Sequence, residues 1–229
     1  MTISILARDE ESGSLGSAAA TGSLCVGGWV LRGDLEAGLS ASQGALPSTL
    51  WGEDVLAAMR AGQGAAAAVA GVVAPDPGRE MRQLSALDAG GGTGAHTGTG
   101  NTPAAGARTA PEVIVAGNLL ASEAVLDACL DGFLSARGDL AARLLAALDA
   151  AAEAGGDSRG FQSAALLVLA RDAAPLTLRI DRAERPLADL RALHLAATTG
   201  DYAAWAAEVP TRATPWRGAA SRQKADHPA

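Results

Sequence analysis

The sequence predicts an α+β fold: a four-layer α-β-β-α sandwich in which two antiparallel sheets stack face to face under helices on both outer sides. Three observations carry this prediction. The elements run as strands, two helices, strands, two helices, strands and a helix, without the βαβ alternation that builds a parallel sheet. The strand segments are made of small, uniformly apolar residues, as suits strands covered on both faces. The chain has 229 residues, 48% of them hydrophobic and 19% charged, enough for one well-buried core. We read one domain over 1–197, with a Gly-rich loop at 89–111. A polar tail follows over 198–229, helical around 202–207 or without fixed structure.

Thr2–Arg8 is short and rich in β-formers, and Gly13 supplies the positive φ for a turn over 11–14. Leu15–Thr21 is a strand of small side chains suited to close packing under another layer. Residues 24–30 and 35–42 read as two further strands, giving an antiparallel opening. Residues 50–61 and 64–74 are Ala-rich with apolar residues at helical spacing, broken near Gly62 and Gly64. Pro75 and Pro77 stop the second helix, because each disfavours helix in the residue before it. Residues 81–87 form a strand, the loop at 89–111 holds His96 and Asn101, and 112–116 resume a strand. Residues 122–136 read as a helix with Ser122 as N-cap, and 139–154 as a stronger one capped by Asp139 and ended by Gly155 and Gly156. Ser163–Leu169 and Leu176–Ile180 pair as strands, and Pro186 opens a last helix through Leu195.

Composition excludes several functions. Acidic residues outnumber basic ones 25 to 18, for a net charge of −7, so a nucleic-acid or anionic-membrane binder is not expected. No apolar run reaches the ~18 residues of a membrane span, and no signal peptide is legible at the start. Two cysteines, Cys25 and Cys129, outside any CxxC pair make no disulfide framework, and both read as core filling on a strand and a helix. A cytoplasmic location is the expectation. The single lysine, Lys224, lies in the polar tail, so no lysine is expected in catalysis. GxxxxGK[ST], HExxH, GxSxG and GxGxxG are absent, and no metal site or cofactor is expected.

The Met1-Thr2 start offers one chemistry. Initiator methionine is removed before small residues, and removal places a hydroxyl and an α-amine on Thr2. That amine, with an ordinary pKa near 7.7–8.0, serves as local base for a hydroxyl that is a poor nucleophile alone. The alternative is a Met-Thr start without meaning.

The wider pattern resembles the domain-of-unknown-function 1028 family. The likeness covers about residues 1–195 and rests on Met1-Thr-Ile-Ser-Ile-Leu-Ala-Arg-Asp9, Gly13-Ser-Leu-Gly16, Val26-Gly27, Asp76-Pro-Gly-Arg-Glu80 with Arg82-Gln83, His96-Thr-Gly98 and Gly117-Asn118. Its most specific block is Gly155-Gly-Asp-Ser-Arg-Gly-Phe-Gln-Ser-Ala-Ala165, followed by Arg179-Ile-Asp181 and residues 186–193. The resemblance implies an Ntn-hydrolase-like fold, that of N-terminal nucleophile hydrolases. It implies hydrolysis of a small amide bond through an acyl-enzyme ester on Thr2, and a homodimer packed through helical layers. The chain departs from that pattern at Ala20-Thr21-Gly22 and at Asn101. It also lacks the early-strand lysine of proteasome-type relatives, for which the permanently protonated Arg32 is no substitute. A non-catalytic binding or assembly module on the same fold is the alternative, and a third reading has serine or His96 act with Met1 retained.

Several residues join Thr2 as candidates, each with a plainer alternative. Asp157 and Arg159 either orient the Thr2 amine and bind a carboxylate, or pair to hold their loop. Gln162 and Ser163 either contact a substrate amide or satisfy backbone ends at a strand start. Asn118 either contributes to an oxyanion hole or forms a turn. Ser42, Gln43 and Gly44 close an early strand with backbone N–H groups suited to an oxyanion. His96 is either a substrate contact or a surface residue. His194 reads as helix surface, and His227 belongs to the tail.

Overall fold

The structure, a computed structural model, describes residues 2–157 and 159–218. Among the described residues ten strands form two antiparallel sheets. The larger has the order β10-β9-β2-β1-β8-β7, from β1 (Thr2–Arg8), β2 (Leu15–Thr21), β7 (Gly106–Ala110), β8 (Val113–Asn118), β9 (Ser163–Leu169) and β10 (Leu176–Ile180). The smaller has the order β3-β4-β5-β6, from β3 (Leu31–Asp34), β4 (Gly38–Gly44), β5 (Arg82–Asp88) and β6 (Thr93–Thr97). Helices α2 (Thr49–Arg60) and α3 (Ala65–Val73) fill the span between β4 and β5, and α4 (Ala124–Ser135) and α5 (Leu140–Glu153) that between β8 and β9.

Three apolar clusters follow from the two-residue period of the strands. On β1, Ile3, Ile5 and Ala7 pack with Leu126, Leu144 and Leu148 of α4 and α5. On its other face, Leu6 packs with Leu15, Leu39, Leu87 and Ile114 between the sheets. Leu84 and Ala86 of β5 pack with Trp51, Val55 and Val69 of α2 and α3. Gly16 lies under α5 because a Cβ there would stand 2.7 Å from the Leu144 side chain. Asp139 caps α5 as expected, accepting from the Ala142 N–H at 2.8 Å.

Elsewhere the structure departs from the expected elements. Residues 24–30 are not a strand: α1 (Val26–Trp29) is one helical turn, entered through Cys25 at φ 59°. The Ser163 Oγ accepts the Val26 N–H and so caps that turn from another strand. Cys25 is therefore half-buried beside a helix rather than core filling on a strand. Residues 35–37 turn instead of extending, because the Asp34 carboxylate accepts the N–H groups of Glu36 and Ala37. The stretch 89–111 is not one loop. It contains β6, which pairs with β5, and β7, which pairs with β8. Its glycines serve packing: a Cβ on Gly94 would lie 2.6 Å from the Ala65 carbonyl at the start of α3. Ser122 offers no side-chain cap, and Glu123 stands at the N-cap of α4. His194 is half-buried rather than on the surface. It lies on α6 (Pro186–Thr198), which packs on β9 and β10, and α7 (Gly200–Ala206) packs on α6. His227 lies outside the described residues. Among the described residues no helix is long and apolar enough to cross a membrane.

Candidate active site

The register of the larger sheet sets four polar residues in one row at one end of the strands. Thr2 stands opposite Thr21 and Asn118, and Thr21 opposite Ser163. Directly opposed residues share a face. Their neighbours Ile3, Ala20 and Ala164 pack towards the helices, so this row faces the smaller sheet. There a second row, Gln43, Gln83 and Thr97, runs across β4, β5 and β6.

Hydrogen bonds join the two rows. Gln83 is fully buried, and its Oε1 accepts from Gln43 Nε2 at 2.8 Å and Asn118 Nδ2 at 3.0 Å. Its Nε2 donates to Thr97 Oγ1, to the Gly106 carbonyl and to the Gly117 carbonyl at 2.9, 3.1 and 2.9 Å. Carbonyl acceptors on one side and amide donors on the other fix which way this amide points. Gln43 also donates to the Ala116 carbonyl at 3.2 Å, and its own Oε1 is buried without a hydrogen-bond partner among the described residues. Beside this network the half-buried Thr2 donates its hydroxyl to Thr21 Oγ1 at 3.2 Å.

Asp157 closes the same end. Its side chain is wholly buried, accepts the Gly22 N–H at 2.5 Å and pairs with Arg159 at 3.1 Å. A Cβ on Gly22 would lie 2.3 Å from the Asp157 carboxylate, so glycine is required for that approach. Asp157 also accepts the Arg159 backbone N–H at 2.8 Å and makes a β-bridge with Leu120. Its contacts thus tie the loop before β9 to the end of β2.

Most of the other predicted residues lie apart from this end or serve its frame. Ser163 lies in the Thr2 row, but its hydroxyl donates to the Ser23 carbonyl at 2.8 Å and anchors the β2–α1 loop. The Gln162 side chain is exposed, while its backbone N–H donates to the Thr21 carbonyl. Ser42 faces α2, giving its hydroxyl to the Ser48 carbonyl and its N–H to the Val30 carbonyl. Gly44, at φ 130°, ends β4 against the Met81 carbonyl and Asn101. His96 is on the outer face of β6, against Trp51 at 5.9 Å between ring centroids, with Nε2 3.1 Å from the Arg79 carbonyl. Of the predicted residues, the structure gathers Thr2, Gln43, Asn118, Asp157 and Ser163, and it turns Ser42 and His96 away from them.

Three residues of this end escape a linear reading as site residues: Thr21, Gln83 and Asn101. Gln83 had one signal, a polar residue at an inward position of an alternating strand. Asn101 is buried and accepts the Ala45 N–H at 3.0 Å while donating to the Arg82 and Gly98 carbonyls, so it pins the loop after β4. Among the described residues no group of three or more His, Cys, Asp or Glu could hold a metal. Burial pushes the Cys129 thiol up to about 12, which makes it inert as a nucleophile.

Fold and site together define a mixed α+β protein with two antiparallel sheets and a polar seam between them at the Thr2 end. The profile of a family of unknown function (DUF1028) matches residues 2–190. A crystal structure of a protein of that family from Silicibacter pomeroyi is 50% identical, covers 94% of this chain and 98% of its own, and superposes with a TM-score of 0.91. The chain belongs to the DUF1028 family. A search of curated proteins finds no match.

Proposed function

We propose that the protein is an N-terminal nucleophile hydrolase of a small amide, acting through an acyl-enzyme ester on Thr2. On this reading the layers described above are the four-layer sandwich of the Ntn-hydrolase-like fold. The observation that carries the proposal is the place of Thr2. It starts a central strand, faces the inter-sheet space, and has neutral amide side chains beside it and a buried carboxylate at the next strand.

The chemistry needs a base. Among the described residues no lysine is present, and His96 lies on the far face of the smaller sheet. Removal of Met1 supplies the base as the Thr2 α-amine. The hydroxyl oxygen then attacks the amide carbonyl carbon as its proton passes to that amine. The tetrahedral oxyanion collapses, the C–N bond breaks, and the amine returns the proton to the leaving nitrogen. Water hydrolyses the ester by the same path. Asn118 spends one N–H on Gln83, leaving the second as an oxyanion donor. Thr21 fixes the nucleophile's rotamer.

The test joins intact mass with substitution. Native protein should be lighter than the full sequence by one methionine. Thr2→Ala should lose turnover of small amides by ~10³-fold or more with an unchanged melting temperature, and Thr2→Ser should retain part of it. Turnover by a protein that keeps Met1, or by Thr2→Ala, refutes the mechanism. A second reading, a binding module without catalysis, draws on a different observation. The cavity described below opens at the other end of β1 and is not lined by Thr2.

A further inference from the structure

A cavity of about 880 Å³ lies at the opposite end of the larger sheet from Thr2. Its floor comes from Leu140 of α5, Val168 of β9 and Leu176 of β10, and its roof from α6, α7 and the segment up to Arg217. The family match ends at residue 190, so most of the roof lies beyond it. The last segment of the roof is tied to the β9–β10 connection and to the end of α7. The Ala213 N–H donates to the Arg171 carbonyl at 2.7 Å, and Arg217 donates to the Ala207 carbonyl at 2.8 Å. The volume falls in the range of small-molecule sites, roughly 300–1,000 Å³.

Two features of the lining select a ligand. Tyr202 and Trp205 form an aromatic pair, with centroids 5.4 Å apart and planes tilted by 53°. Among the described residues of the lining, four carboxylates, Asp9, Glu11, Asp139 and Asp172, stand against one cation, Arg217. Asp9 is partly neutralised by Arg143 at 3.6 Å and Asp139 caps α5, but Glu11 and Asp172 have no ion-pair partner among the described residues.

We infer that this cavity is a second, non-catalytic binding site for an organic amine with an aromatic or alkyl body. The apolar floor takes the body. The ammonium meets the carboxylates and the aromatic faces, both favouring a cation. A carboxylate ligand would meet four like charges, and a neutral one would leave the acids unanswered.

Isothermal titration with 4-phenylbutylamine, 4-phenylbutanol and 4-phenylbutyrate tests this, since the three share one body. The amine should bind one to one, about tenfold tighter than the alcohol, and the carboxylate should not bind. Trp205→Ala should weaken the amine about fivefold, and the exposed double variant Glu11→Gln/Asp172→Asn about threefold. Thr2→Ala should leave binding unchanged, which separates this site from the proposed catalytic one. Absence of saturable amine binding, equal binding of the alcohol, or full affinity in both lining variants overturns the inference.

Discussion

Replacing Gln83 with Met should loosen the joint between the two sheets, and the structure sets the size of the effect. Met keeps nearly the volume and length of the side chain, so packing changes little. What disappears is the amide, which makes five contacts: two accepted by Oε1 and three shared by the two hydrogens of Nε2. Four independent hydrogen bonds at about 1 kcal/mol each give a loss of about 4 kcal/mol. Thr97 and Gly106 are half-buried and regain water, whereas Asn118 Nδ2 stays buried without that acceptor. The added apolar burial of Met offsets about 1 kcal/mol. The net expectation is a destabilisation of about 3 kcal/mol, or ~6–12 °C in melting temperature for a chain of this size. Urea unfolding followed by circular dichroism measures it, with Gln43→Met as a milder comparison because that amide donates to only two groups. A loss below about 1 kcal/mol would show that the Gln83 contacts carry no net energy, as when waters between the sheets replace them.

Further expectations concern single groups. Asp157→Asn should open the loop before β9 and raise amide exchange at Gly22, because the wholly buried carboxylate holds both that N–H and Arg159; unchanged exchange would assign the anchoring to other contacts. The Gly78 N–H at 2.7 Å, together with Arg82, holds the Asp76 carboxyl below the ordinary carboxylate range. A depressed folded value stabilises above the unfolded pKa near 3.9 and loses that contribution as pH falls through the folded value. The stability gap between wild type and Asp76→Asn should therefore be constant from pH 5 to 7 and close below pH 4. A gap that widens with acid refutes the assignment. A thiol reagent at pH 8 should find one fast site, half-buried Cys25, with Cys129 reacting only on unfolding; two fast sites would contradict the burial of Cys129.

The sequence by itself determined what depends on local patterning. The small apolar run Leu15–Thr21 becomes a strand buried on both faces, and Asp139 with Gly155 and Gly156 bounds α5 where caps and positive φ require. The absence of βαβ alternation specified antiparallel sheets, and the linear motifs carried the family resemblance. Only the tertiary structure decided the contacts between distant segments. Val26 begins a helical turn because a serine 137 residues away accepts its N–H. The stretch 89–111 yields two strands because β5 and β8 offer edges to pair with, and glycine permits Gly94 to lie against α3. The polar seam belongs to the same category. Thr2, Gln43, Gln83 and Asn118 come from four strands in two sheets, and their meeting depends on register and on which face each pleat presents. A one-residue slip of any of them would turn its side chain to the helices, as the pleat does for Ser42 and His96. Hydrophobic pattern fixes periodicity within a strand. The pairing of strands is set by the packing of the whole core.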